Sequence, residues 1–173
     1  ESPQTRPLHR ASKEAAQLLL SRVYLYMQDW KNAASLAQEL LENDIRLYYM
    51  SAKNAEKIFL TEDNTEVLFS QGSMNYYNGL TGSRGDFAVA EELVQLYDPN
   101  DHRRHFFEKN EETSAYALKN KFDNIAIPHV SNNFSLRIAE AYLNLAEAYA
   151  MMDETENANH YLRLLRESRI EQY

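Results

Sequence analysis

The chain has 173 residues, 44% of them hydrophobic and 25% charged, with no Cys. A chain of this size buries roughly 70% of the surface its unfolded form exposes, so one domain can form its own core, and the missing cysteine excludes a disulfide framework, a thiol nucleophile and a Cys-based zinc site. The net charge is −8 with Lys and Arg scattered apart from Arg103-Arg104, which leaves no basic stripe for a nucleic acid; none is expected as a partner.

Four Gly and four Pro are few, which favours long helices over a turn-rich all-β fold. Residues 1–10 are polar, carry two prolines and read as an extended lead-in unlike a signal peptide. Ser12 is the expected N-cap of a first helix. In it Ala16, Leu20, Val23 and Met27 recur on one face of a 3.6-residue period, and Leu18, Leu19, Leu25 and Tyr26 make a second apolar face. A helix wet on so narrow a side should be packed between neighbours. Gln28-Asp29 makes a turn, and Ala33, Ala34, Ala37, Leu40 and Leu41 mark a second helix to about residue 43.

The middle of the chain is mixed. Residues 46–50 look extended, 54–59 suit a helical turn, and 66–70 read as a short strand. Residues 71–87 hold all four glycines and read as a long loop. The spacing of Val89, Leu93 and Leu96 predicts a helix over 87–97, stopped by Asp98-Pro99-Asn100. Within the ambiguous stretch 102–132, short strands are expected around 115–119 and 125–130. From Ser135 a helix returns, with Ile138, Tyr142, Leu145, Tyr149 and Met152 on one face. A turn at Asp153-Glu154-Thr155 leads to a last helix carrying Ala158, Leu162 and Leu165. No apolar run approaches the length that spans a bilayer.

The two hairpins superpose at an offset of 125 residues. Leu20, Ser21, Tyr24, Asp29, Ala33 and Leu40 match Leu145, Ala146, Tyr149, Glu154, Ala158 and Leu165. The pattern resembles the TPR signature, in which small residues let two helices approach and a Tyr fills the space beside them. TPR arrays repeat about every 34 residues, whereas here a long insert separates the hairpins. The division read from this is a first hairpin over 11–43, a loop-rich insert over 44–132 and a second hairpin over 133–170, all in one partial domain.

At this point a larger resemblance enters. Residues 10–30 (RASKEAAQLLLSRVYLYMQDW), 66–70 (EVLFS), 92–98 (ELVQLYD) with Arg103 following, and 136–149 (LRIAEAYLNLAEAY) resemble, in order, segments of the SusD/RagB outer-membrane lipoproteins of Bacteroidetes. The resemblance covers residues 10 to about 170. It implies a mostly α fold, a SusD-like α–α superhelix of TPR-like hairpins with irregular loops and a few short strands. It also implies a role in polysaccharide utilization: a surface-exposed outer-membrane protein, lipid-anchored, that captures an oligosaccharide or other nutrient and delivers it to a SusC-like TonB-dependent transporter without catalysis or cofactor. The family's signal, lipidated Cys and C-terminal ending are not in this sequence, so a part of a longer chain is expected. The rival reading is a soluble TPR-type adaptor that binds a peptide or protein partner.

Candidate ligand contacts are Asn75, Tyr76, Tyr77 and Asn78, with Arg84 and Asp86 nearby in the same loop. Sugars present apolar C–H faces that stack on rings and vicinal hydroxyls that suit amides, carboxylates and guanidinium groups; the alternative is that the tyrosines only anchor the loop. Trp30 is expected to pack where two helices meet. Glu140 and Glu147 share a helix face, but seven residues at 1.5 Å separate their Cα atoms by about 10.5 Å, wide even for an inverting glycosidase. Arg137, Arg163, Arg166 and Arg169 offer them ion-pair partners, so catalysis is not expected. His102 and His105 lie near Asp98 and Asp101, but no third ligand stands at a metal-binding interval and Arg103 occupies the position where a calcium loop needs Gly. His9, His129 and His160 are isolated; no metal is expected.

Overall fold

A computed structural model of the chain describes residues 8–43, 45–55, 64–71, 88–118 and 134–173. Its frame is two antiparallel helical hairpins. The first pairs α1 (Lys13–Tyr26) with α2 (Trp30–Leu41), and the second pairs α4 (Ile138–Met151) with α5 (Thr155–Glu167). Between them lie β1 (Val67–Gln71), a short α3 (Glu91–Gln95), a 3-10 helix (His102–Phe106), β2 (Phe107–Lys109), β3 (Tyr116–Leu118) and β4 (Phe134–Arg137). None of the described helices is long and apolar enough to cross a membrane.

The internal repeat is visible in the backbone. Helices α1 and α4 begin and end at residues 125 apart, and both hairpins turn on a residue in the left-handed region, Gln28 at φ 60° and Asp153 at φ 61°. The hydrogen bonds that close the turns repeat too. Asp29 N–H donates to Tyr24 O at 2.9 Å, and Glu154 N–H donates to Tyr149 O at 2.8 Å. Ser12 caps α1 as expected, accepting from Ala15 N–H at 2.9 Å, and Asp29 caps α2.

The insert does not separate the hairpins in space. α4 packs against α2 and, less extensively, α1, so the two hairpins stack as consecutive units would. Their shared core holds Leu18, Ala33, Ala34, Ala37 and Leu40 from the first, and Ile138, Ala141, Leu145, Ala148 and Leu165 from the second. Alanines at 33, 34 and 37 put only methyl groups between the helices, which lets α2 sit close to two partners. Trp30 packs against this core at the start of α2. Two polar ties cross the stack: Asn144 Nδ2 donates to Ser21 Oγ at 3.2 Å, and Arg22 clamps Glu140 with bonds of 2.5 and 2.6 Å.

Several sequence expectations shift. The stripe Ala16, Leu20, Val23 and Met27 is exposed; α1 buries Ala15, Leu18 and Ser21 instead. Two apolar faces gave no way to tell the inner from the outer. Residues 134–137 form a strand and the last pair of helices starts only at Ile138, because Ser135, Leu136 and Arg137 pair antiparallel with β1 (Phe69 opposite Leu136, Ser70 opposite Ser135). The helix expected over 87–97 shrinks to five residues. Val89 N–H is engaged by Tyr116 O at 2.7 Å, and Ala90 stays extended at φ −59°, ψ 132°. β3 falls where residues 115–119 suggested a strand, and pairs with the unanticipated β2. Residues 45–50 carry neither helix nor strand. The strand expected at 125–130 and most of the helical turn at 54–59 lie outside the described residues.

Candidate functional site

All six candidate ligand residues, Asn75, Tyr76, Tyr77, Asn78, Arg84 and Asp86, lie outside the described residues. The supports on either side of their loop are described. On one side, β1 runs antiparallel to β4 up to Gln71, opposite Phe134. On the other, Val89 bridges to Tyr116. Both loop ends are therefore fixed by backbone hydrogen bonds, to β4 and to β3.

Beneath β1 lies a buried charge cluster that the sequence did not signal. Glu66 is fully buried one residue before the strand. Its Oε1 accepts from the Tyr48 N–H at 2.8 Å and from the buried Arg169 guanidinium, which also donates to Tyr48 O. Arg137 Nη1 approaches Oε2 at 3.8 Å. Burial, together with the nearby positive Arg169, lowers the Arg137 pKa, and Glu66 partly offsets that. A carboxylate and guanidinium taken out of water need each other, because either alone in the interior would cost several kcal/mol. The cluster thus joins the 45–50 segment, the start of β1 and the end of α5.

A cleft of about 630 Å³ opens beside this cluster, between α3 and the α4–α5 hairpin. Leu93, Leu96 and Tyr97 form one wall, and Leu143, Leu162 and Arg166 the other. The Tyr97 ring has two neighbours. Arg103 lies over it at 4.9 Å from guanidinium carbon to ring centroid, and Phe107 meets it at 5.3 Å with a 60° tilt. Arg103 is itself fixed by two-pronged bonding to the buried Asp101, 2.9 Å from Nε to Oδ1 and 2.5 Å from Nη2 to Oδ2. The guanidinium pKa is raised by that partner, against its own burial. A smaller cavity of about 320 Å³, reaching Met50, Phe106 and Leu118, continues under α3. The arrangement offers a rigid ring, leucines and charged rims, which suits binding. These residues come from α3 and the turn after it, the 3-10 helix, β2 and the α4–α5 hairpin, and the sequence marked Leu93, Leu96 and Leu162 only as helix-face residues.

Several of the groups weighed for catalysis and metal have other partners. Glu140 pairs with Arg22 of the first hairpin, not with an arginine of its own, and Glu147 is exposed. Asp101 caps the 3-10 helix and Asp98 accepts from Asn100 N–H at 2.8 Å. His102 is buried with Nε2 at 3.9 Å from Glu171. Among the described residues no three metal-type ligands converge.

No family model and no curated protein matches the chain. Solved structures do. A candidate sugar-binding protein from Bacteroides vulgatus superposes with a TM-score of 0.71 at 23% identity, over 96% of this chain and 41% of that one. A SusD-like carbohydrate-binding protein from the same species gives 0.69 at 21% identity, over 97% and 40%. A SusD superfamily protein from Bacteroides thetaiotaomicron gives 0.69 at 24% identity, over 98% and 44%. The chain has the SusD-like fold, and it spans less than half the length of these structures.

Proposed function

We propose that this chain belongs to the SusD/RagB family and forms part of a protein that captures a glycan at the cell surface. The observation that carries the reading is the SusD-like fold itself, found over nearly all of the chain in structures described as sugar- or carbohydrate-binding. Fold alone is an argument by analogy, so the chemistry has to come from the residues. The loop carrying Tyr76 and Tyr77 would stack on the C–H faces of a sugar. Asn75, Asn78, Arg84 and Asp86 would bond its hydroxyls. Loops that carry binding residues work from rigid supports, and both supports of this loop are tied by backbone hydrogen bonds. The protein is a binder without catalysis. It holds its ligand at the outer face of the outer membrane, through a lipid anchor outside these residues, and passes it to a SusC-like TonB-dependent transporter.

Affinity electrophoresis tests this. The protein is run through gels containing a panel of plant and host polysaccharides, beside a Tyr76→Ala/Tyr77→Ala variant. Retardation by one polysaccharide, reduced at least about tenfold in apparent affinity by the variant, is expected; that corresponds to about 1.4 kcal/mol. Retardation that the variant leaves unchanged would keep glycan capture and move the site, with the Tyr97 cleft next in line. No retardation across the panel would overturn the reading in favour of a TPR-type adaptor for a peptide or protein.

A further inference from the structure

Three guanidinium groups reach one cavity from three parts of the chain. Arg103 comes from the 3-10 helix, Arg137 from the last residue of β4 and Arg169 from the turn after α5. All three line the cavity of about 320 Å³ under α3. Its other walls are largely apolar, Val89, Phe106 and Leu118 among them, and its described lining residues include no carboxylate. Like charges gathered in such a space repel, and the effect shows at Arg137. Burial first, then the fields of Arg169 and Arg103, lower its pKa, while Glu66 and Glu140 act the other way. Two carboxylates hold the arginines from behind. Asp101 grips Arg103 with two bonds, and Glu66 is shared, bonded to Arg169 and 3.8 Å from Arg137. Those contacts fix where the arginines point. They give no reason for three of them to converge on an apolar cavity.

Exposure separates their roles. The side chains of Arg103 and Arg137 keep 35% and 32% of their exposure, whereas that of Arg169 keeps 4%. The first two can meet a guest, and the third adds positive charge from within the wall. We propose that this cavity binds a small monocarboxylate with an apolar body, its acid group on Arg137 in the field of Arg103 and Arg169, and its body against Phe106 and Leu118. A guanidinium fork matches a carboxylate with two parallel bonds, and the pairing is stronger away from bulk water. A phosphate would bring up to two negative charges close to the buried Asp101 and Glu66, so a single charge fits better. Apolar walls with a few placed polar groups are the usual make-up of a small-molecule site, and this volume is at the low end of the range for one, about 300–1,000 Å³. The larger cleft shares Leu93, Leu143 and Arg103 with the cavity and gives it a way in. The inference stands whether or not the protein captures a glycan.

Isothermal titration calorimetry of the protein with hydrocinnamate, a phenyl ring on a short acid, tests this. Its neutral amide and inorganic phosphate are titrated beside it. Saturable binding of hydrocinnamate is expected, with the amide and phosphate each at least about tenfold weaker. Arg137→Gln should weaken hydrocinnamate at least about tenfold. Arg137 also faces Glu66, so circular dichroism checks that this variant folds, and Leu143→Glu decides if it does not. Leu143 lines the cavity but is 48% exposed, so a carboxylate there should repel the acid while leaving the Tm within about 2 °C. No hydrocinnamate binding up to about 10 mM overturns the proposal. Equal binding of acid and amide overturns it too, and makes the arginines purely structural. Phosphate bound as tightly as the acid would strike out the apolar body, and binding that neither variant weakens would put the acid elsewhere; either result overturns the assignment.

Discussion

Glu66 and Arg169 come from distant parts of the chain and meet with almost no access to water. Neither announces itself in sequence. Glu66 precedes an apolar strand, where a surface position would look the same, and Arg169 follows a helix rich in arginines that are mostly exposed. The consequence of removing one partner is specific. Arg169→Met leaves a buried carboxylate with Arg137 as its nearest remaining cation, 3.8 Å from Oε2, and should cost about 3–5 kcal/mol of stability. The double variant Glu66→Met/Arg169→Met removes both charges and should recover most of that loss. Urea unfolding of the two variants measures this; if the double is as unstable as the single, the pair is held by packing and not by charge.

At the scale of elements, the hairpins were legible because helical periodicity and the 125-residue offset are both written in side-chain size. Their tightest feature was not. Gln28 and Asp153 occupy the left-handed region, where residues with a Cβ are disfavoured and glycine is the usual occupant. With neither position a glycine, the sequence marked a turn but not its conformation. Gln28→Gly should therefore stabilise the first hairpin by about 0.5–1 kcal/mol, and Asp153→Gly the second by a similar amount. An increased urea midpoint with unchanged slope would show it. Loss of stability would mean that the greater freedom of glycine in the unfolded chain outweighs the relief. The elements misread were those where pairing overrides periodicity. Ser135-Leu136-Arg137 fits the start of a helix equally well, and only β1 across the way makes it a strand. The candidate ligand loop was proposed from its glycines and tyrosines and lies outside the described residues, whereas the Tyr97 cleft needed α3, α4 and α5 brought together first.

For the whole molecule, the question is whether the two hairpins, some ninety residues apart, behave as one body. Their packing says that they do. Leu145 is fully buried in a core that also holds Leu18, Ala33 and Leu40, and Ser21–Asn144 and Arg22–Glu140 cross the same seam. The Glu66–Arg169 pair then fastens the insert to the far end of the second hairpin. A cavity at Leu145 should consequently be felt on both sides. Leu145→Ala is expected to cost about 2–5 kcal/mol, and hydrogen exchange should show α1 and α2 losing protection by the same free energy as α4 and α5. Protection lost from α4 and α5 alone would mean that the first hairpin folds independently, and that the stack is an assembly of separable units. Equal loss would make the scaffold a single cooperative unit, in which a substitution in the helical core weakens both hairpins together.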